Sequence, residues 1–191
     1  MRVIAGQARG RRLKAPDTPD TRPATDRVRE ALFSSIGSRV VGAAVADLYA
    51  GSGSFGLEAL SRGAASVVFV EKGRKALQAL RANVETVALG GEVVGAEVAS
   101  FLNRTDRRFN LVFVDPPWDL PASVMEGEMA LLDPLLLVEA EVVVSRRAGD
   151  AAPEPPETWR VATDKRYGDT RILRYEKLKA SDDQRPMPGE F

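Results

Sequence analysis

The chain has 191 residues, 44% of them apolar, enough for one sizeable core and short for two independent ones. Its 27 Lys and Arg balance 27 Asp and Glu, so the total charge neither demands nor excludes a polyanionic partner. Cysteine and histidine are both absent, which removes disulfides, thiolate nucleophiles, Cys/His zinc sites, Ser-His-Asp triads and imidazole acid–base catalysis together.

The first 40 residues carry nine basic side chains against four acidic ones, a net of +5 that the rest of the chain must offset. A cationic segment on an anionic body can hold a polyanion locally, because each phosphate contact releases condensed counterions. Val3-Ile4 and Arg11-Arg12-Leu13 predict two short strands around a glycine-containing turn, a small hairpin with Arg2, Arg9, Arg11, Arg12 and Lys14 on its flanks. The start lacks the apolar stretch of a secretory signal. Residues 15–24, rich in Pro, Asp and Thr, predict a loop that carries Arg22. Thr25 or Asp26 can cap a following helix whose inner face holds Val28, Ala31, Leu32, Ser35 and Ile36, with Arg27, Arg29 and Glu30 pointing elsewhere.

From about residue 43, short apolar strands alternate with helical stretches, the mark of an α/β domain with a mainly parallel sheet. Strands are expected at Ala44–Tyr49, Val67–Val70, Glu92–Val98, Asn110–Val114 and Glu141–Ser145. Helices are expected after the glycine-rich loop, over Arg74–Leu89, and near 121–132 and 134–140. Leu131 to Val144 is nearly apolar, but Asp133, Pro134, Glu139 and Glu141 interrupt it well short of the roughly 18 residues of a membrane span. Thr158–Thr163 and Arg171–Glu176, around Tyr167-Gly168-Asp169, predict an antiparallel hairpin that finishes the sheet. The predicted organisation is a basic hairpin and helix extension over 1–40, an α/β domain over 41–179, and a polar, proline-bearing tail without fixed structure over 180–191. A soluble, cytoplasmic monomer without metal is the expectation.

Ala50, Gly51, Gly53 and Gly56 form a GxGxxG loop between a strand and a helix, and Glu71 lies at the end of the next strand. This outlines a nucleoside-cofactor site: glycines let the backbone approach a ligand, and a carboxylate on the second strand accepts from two ribose hydroxyls. The pattern serves NAD as well as S-adenosylmethionine (AdoMet). Asp47, inside the first strand, could face the amino group of a methionine moiety, whereas a dinucleotide-binding strand is usually apolar there. Dehydrogenase chemistry also needs a proton donor, and the YxxxK match at Tyr175 and Lys179 lies in the last strand rather than on a helix.

Asp115-Pro116-Pro117-Trp118 follows an apolar strand directly. The prolines stop the ladder and fix a rigid turn at the carboxyl end, the edge where open α/β sheets bind ligands. An exocyclic amine on a nucleobase is a poor nucleophile because its lone pair is delocalised into the ring. Two acceptors on its hydrogens, the Asp115 carboxylate and the Pro116 carbonyl, would draw that pair out of conjugation and aim it at a methyl group. Trp118 could stack on a flipped base. This chemistry requires no histidine, metal or covalent nucleophile, and the absence of cysteine argues against methylation at cytosine C5.

Together, RVIAGQARGRRL, TRPATDRVREALF, DLYAGSGSFGLEALSRGA, VVFVEK and LVFVDPPW resemble, in order and spacing, the D-type family of bacterial 16S ribosomal RNA guanine-N2 methyltransferases, over about residues 1–178. The resemblance implies a Rossmann-like AdoMet-dependent methyltransferase fold, with a seven-stranded mainly parallel sheet, an antiparallel last strand and a small basic hairpin at the N-terminus. It implies that Asp47, Ala50, Gly51 and Gly53 hold the methionine part of AdoMet, Glu71 the ribose, and Glu97 and Val98 the adenine. Asp115, Pro116 and Trp118 would be catalytic, with Arg2, Arg9, Arg11, Arg12, Lys14 and Arg22 on RNA. Three positions depart from the family pattern: Trp118 stands where Tyr or Phe is commoner, Ala24 replaces a hydroxyl residue, and Glu97 is longer than the usual Asp. The expected substrate is guanine N2 in 16S rRNA, within a small-subunit assembly particle. The alternatives are adenine N6 or another exocyclic amine on DNA or RNA, a non-catalytic RNA-binding assembly factor, and a dehydrogenase.

Overall fold

The Thr25 hydroxyl accepts a hydrogen bond from Val28 N at 3.3 Å, so the first helix, α1, begins at Asp26 and runs to Ile36. The computed structural model describes residues 1–16 and 25–179. Arg22, Ala24 and the tail expected to lack structure therefore lie outside the described residues.

After α1 and a short 3-10 turn come β1 (Ala44–Leu48), α2 (Ser54–Ser61), β2 (Ser66–Glu71) and α3 (Arg74–Val87). They are followed by β3 (Glu92–Gly95), α4 (Val98–Leu102), β4 (Phe109–Val114) and α5 (Ala122–Leu132). The chain closes with β5 (Leu136–Arg147), β6 (Trp159–Tyr167) and β7 (Thr170–Lys177). The strands form one seven-stranded sheet in the order β3-β2-β1-β4-β5-β7-β6. Pairs from β3 through β5 are parallel, and β7 runs antiparallel to both β5 and β6. The expected mainly parallel sheet with an opposed last strand is thus present.

Side-chain alternation along the central strands separates two apolar layers. Val45, Val67, Phe69, Leu111 and Phe113 join residues of α1, α2 and α3 on one face, together with Val3, Ala8 and Leu13 of the N-terminal segment. Ala46, Leu48, Val68, Val70, Val112 and Val114 join α4 and α5 on the other. Phe113 anchors the first layer, with ring centroids 5.5 Å from Phe33 and 5.2 Å from Phe55. Truncating such a ring to alanine costs about 3–5 kcal/mol.

Four local expectations are corrected. The expected helix over 134–140 is instead a 3-10 turn at Asp133–Leu135 followed by strand. Leu136 pairs with Phe109, and Glu139, at a left-handed φ of 64°, absorbs the register shift before Glu141 pairs with Leu111. The third strand ends at Gly95 rather than Val98, because Val98 opens the unexpected α4. Arg29, expected to point outward from α1, is completely buried, whereas Ser35 is exposed.

The predicted strand pair at the N-terminus is reduced to one antiparallel bridge between Arg2 and Arg12. The backbone of this segment keeps internal bonds, Val3 N to Arg11 O and Gly10 N to Val3 O at 2.9 Å each, and also bonds to α2. Ile4 N and Ala5 N donate to the two Glu58 oxygens at 2.7 and 3.1 Å, Gln7 N to Ser61 O, and Ala8 N to the Ser61 hydroxyl. Gly6, at φ +81°, lies so close to the Ser61 carbonyl that any Cβ would collide with it.

Candidate active site at the carboxyl edge of the sheet

The carboxyl ends of β1, β2 and β4 bring the predicted carboxylates together. Asp47 lies in β1, and its Oδ2 accepts from Gly56 N in α2 at 2.9 Å. Its Oδ1 is buried without a partner. Burial raises the Asp47 carboxyl well above the usual range, the Gly56 amide partly offsets this, and the charges of Asp115 and Glu71 push it up further. Gly56 has to be glycine because a Cβ would run into the Phe69 ring across the helix–strand contact.

Past β1, Tyr49 adopts a left-handed φ of 60°, a conformation that costs a non-glycine residue about 1–3 kcal/mol. Its hydroxyl donates to the Glu128 carboxylate of α5, 2.6 and 2.8 Å from the two oxygens. Burial raises the Glu128 carboxyl, and the Tyr49 hydroxyl counters that shift. Ala50, Gly51 and Gly53 follow: Ala50 N bonds to Val70 O, and Gly53 N bonds to Ala50 O at 2.7 Å. Glu71 ends β2 and accepts from Gly51 N at 2.9 Å and Gly73 N at 2.6 Å. Each Glu71 oxygen keeps further acceptor capacity. Glu97 is exposed beside Lys72 at 3.2 Å, while Val98 is buried at the start of α4.

Asp115 follows β4, with its backbone N directed to Leu48 O of β1 at 3.4 Å. Burial raises its carboxyl to about 6, and a hydrogen bond from Ser145 counters part of the shift. Pro116 is buried, Pro117 exposed and Trp118 half-buried. The turn is braced by the end of β5, which the sequence reading missed. Arg146 is buried and donates to Leu120 O at 3.1 Å, and the Arg147 guanidinium lies 5.5 Å from the Trp118 ring centroid. Three polar residues, Ser145-Arg146-Arg147, ending an apolar strand at the carboxyl edge of the sheet were the available signal.

Of the expected RNA contacts, Arg2, Arg9, Arg12 and Lys14 are exposed on the N-terminal segment. Arg2 lies 3.6 Å from Asp26. Arg11 also serves the structure, since its guanidinium donates to Thr86 O and to Val87 O at the C-terminal end of α3. Arg29, Glu58, Ser61 and Asn83, which fasten this segment to the domain, were missed too. No helix among the described residues is long and apolar enough to cross a membrane, and no group of three acidic side chains there is placed to hold a metal ion.

A profile of the family described as Conserved hypothetical protein 95 matches residues 1–176. The ribosomal RNA small subunit methyltransferase D of Escherichia coli K12 is 38% identical over 180 residues, covering 93% of this chain and 90% of that protein. The protein of the same name from Haemophilus influenzae is 32% identical, covering 88% and 89%. The solved structure of Escherichia coli yhhF superposes with a TM-score of 0.84 at 37% identity, covering 93% of this chain and 98% of that one. The structure of a hypothetical protein from Thermus gives 0.79 at 31% identity, covering 91% and 98%. The chain therefore belongs to the ribosomal RNA small subunit methyltransferase D family.

Proposed function

We propose that this chain transfers the methyl group of AdoMet to the exocyclic N2 amine of a guanine in 16S ribosomal RNA, acting on a small-subunit assembly particle. The observation that carries this reading is the convergence of Asp47, Glu71 and Asp115 around the glycine loop, with Asp47 Oδ1 buried and unpartnered. An acidic cradle of this kind favours a ligand bearing an ammonium and a sulfonium, and repels the pyrophosphate of NAD. Asp47 would take the methionine ammonium, Glu71 the ribose hydroxyls, and Val98 with Glu97 the adenine edge. When bound, AdoMet supplies a methyl group on positively charged sulfur, already activated for displacement.

The chain's own residues then act in three ways. Trp118 stacks on the extruded base and holds its plane. The Asp115 carboxylate and the Pro116 carbonyl accept the two amine hydrogens, which localises the nitrogen lone pair along the line of attack. Asp115 would then take the proton that the methylated amine sheds. A carboxyl raised to about 6 is a competent transient acceptor near neutral pH. Arg2, Arg9, Arg12 and Lys14 would contact phosphates, and Arg22 is assigned the same role from its sequence position. The family names support ribosomal RNA over DNA and over dehydrogenation.

Calorimetric titration tests the cofactor assignment. AdoMet should bind the wild-type chain, NAD should not, and Asp47→Ala should weaken AdoMet at least tenfold. Binding of NAD in preference to AdoMet, or an Asp47→Ala variant of unchanged affinity, would refute it.

A further inference from the structure

Two buried side chains bridge the basic N-terminal segment and the glycine loop, one on each side of Gly53. Asn83 of α3 is 1% exposed. Its amide donates to Ser52 O at 2.9 Å and to Lys14 O at 2.9 Å, and its Oδ1 accepts from Lys14 N at 2.8 Å. Arg29 of α1 is 0% exposed, and donates to Ser54 O at 3.2 Å and to Arg2 O at 2.7 Å. Ser52 and Ser54 flank Gly53, while Arg2 and Lys14 stand at the two ends of the segment. Further contacts fasten the segment to the loop and to α2 and α3. The Ser52 hydroxyl meets Met1 Sδ at 3.8 Å, Glu58 of α2 holds Ile4 N and Ala5 N, and Arg11 closes the end of α3.

Each bridge is complete only when the loop and the segment are both in place. If the segment lifts, Asn83 keeps its bond to Ser52 but loses both bonds to Lys14 inside an otherwise buried site; if the loop shifts, it loses Ser52. A buried amide left without partners is penalised, so each displacement is opposed by the position of the other part. The glycine loop is where AdoMet is assigned, and the segment is where the phosphates are assigned.

We propose that Asn83 and Arg29 are positioning residues that couple AdoMet binding to RNA binding, so that occupancy of the glycine loop tightens the grip of the N-terminal segment, and the reverse. The inference rests on the AdoMet and RNA roles proposed above. Neither residue touches a reacting atom; both act through the backbone carbonyls of Ser52, Ser54, Arg2 and Lys14. The coupling has to be reciprocal: the factor by which cofactor tightens RNA equals the factor by which RNA tightens cofactor. Its biochemical consequence is order, because a chain loaded with AdoMet would engage the particle better than an empty one.

The test measures a thermodynamic cycle on the full chain, with S-adenosylhomocysteine as a non-reacting cofactor probe and small ribosomal particles lacking native methylation as the RNA probe. Particle affinity is read by filter retention with and without saturating S-adenosylhomocysteine. For the wild type the ratio should be about fivefold or more. In Asn83→Ala the ratio should fall to within twofold of unity, with each ligand still binding by itself. Arg29→Lys, which keeps the charge but cannot span two carbonyls, is the second variant should Asn83→Ala not fold, and it should behave alike. A purely structural role would lower the melting temperature and leave the ratio unchanged, which overturns the proposal. A wild-type ratio of one, with tight binding of both probes, also overturns it. If Arg9→Glu with Arg12→Glu leaves particle affinity unaltered, the RNA role of the segment fails, and the coupling fails with it.

Discussion

Replacing Asp115 by Asn removes one charge from the carboxyl edge while preserving the side chain's shape and an oxygen that can accept from Ser145. Burial raises the Asp115 carboxyl from 3.8 to about 6, a shift of about 2 pH units, and each unit corresponds to ~1.4 kcal/mol. The upper bound is thus ~3 kcal/mol, and partial solvent access to the side chain reduces the expected effect to ~2 kcal/mol. The sign follows from proton linkage. The folded chain binds the Asp115 proton more tightly than the unfolded chain, so this group's stabilising contribution is complete below about pH 4 and is lost as pH rises through about 6. Asp115→Asn has no such titration. Urea unfolding of the ligand-free chain from pH 4 to pH 8 should therefore show the variant gaining ~2 kcal/mol over wild type between the two ends. Turnover should move the other way, falling by about 10²–10³ through loss of a preorganised acceptor. A stability difference that is the same at pH 4 and pH 8 would contradict the buried, raised carboxyl, and a variant with near-normal turnover would contradict the acceptor role of Asp115.

Three further outcomes follow from the same geometry. Wild-type turnover should rise with pH, with a midpoint near 6, because only ionised Asp115 offers both a full acceptor and a proton sink; a flat profile from pH 5 to 8 would contradict this. Trp118→Ala should weaken productive RNA binding by about 1–3 kcal/mol, whereas Trp118→Phe should retain most of it, read as KM for the particle. Arg9→Glu with Arg12→Glu should weaken particle binding and flatten its salt dependence without lowering the melting temperature, because both side chains are exposed. Arg11 is left out of that pair because it also caps α3.

The features legible in the sequence were those whose physical reason is local. Gly51, Gly53 and Gly56 report a backbone turn and a close helix–strand contact within a few residues, and Asp115-Pro116-Pro117-Trp118 reports a rigid turn at a strand end. Alternation of apolar and polar runs was enough to place β1, β2, β4 and the closing hairpin in order. What stayed hidden depends on partners remote in the chain. Arg29 reads as a surface cation until Arg2 O, Ser54 O and Glu58 close around it, the last at 3.9 Å. Glu58 gives no signal of its role in the sequence, because the Ile4 and Ala5 amides that it holds come from more than fifty residues away. Leu136–Ala140 carries no decisive period, and its pairing with Phe109, with the kink at Glu139, makes it strand. The polar end of β5 has meaning only once the sheet order places it beside β4, where Ser145 meets Asp115 and Arg147 meets Trp118.

The most direct measurement incubates the chain with methyl-labelled AdoMet and small ribosomal particles that lack native methylation, digests the RNA to nucleosides and identifies the labelled one. The expected product is N2-methylguanosine at a single position, abolished by Asp115→Ala. Label in methyladenosine would contradict the substrate assignment, and no label from a preparation shown to bind AdoMet and the particle would contradict the catalytic one.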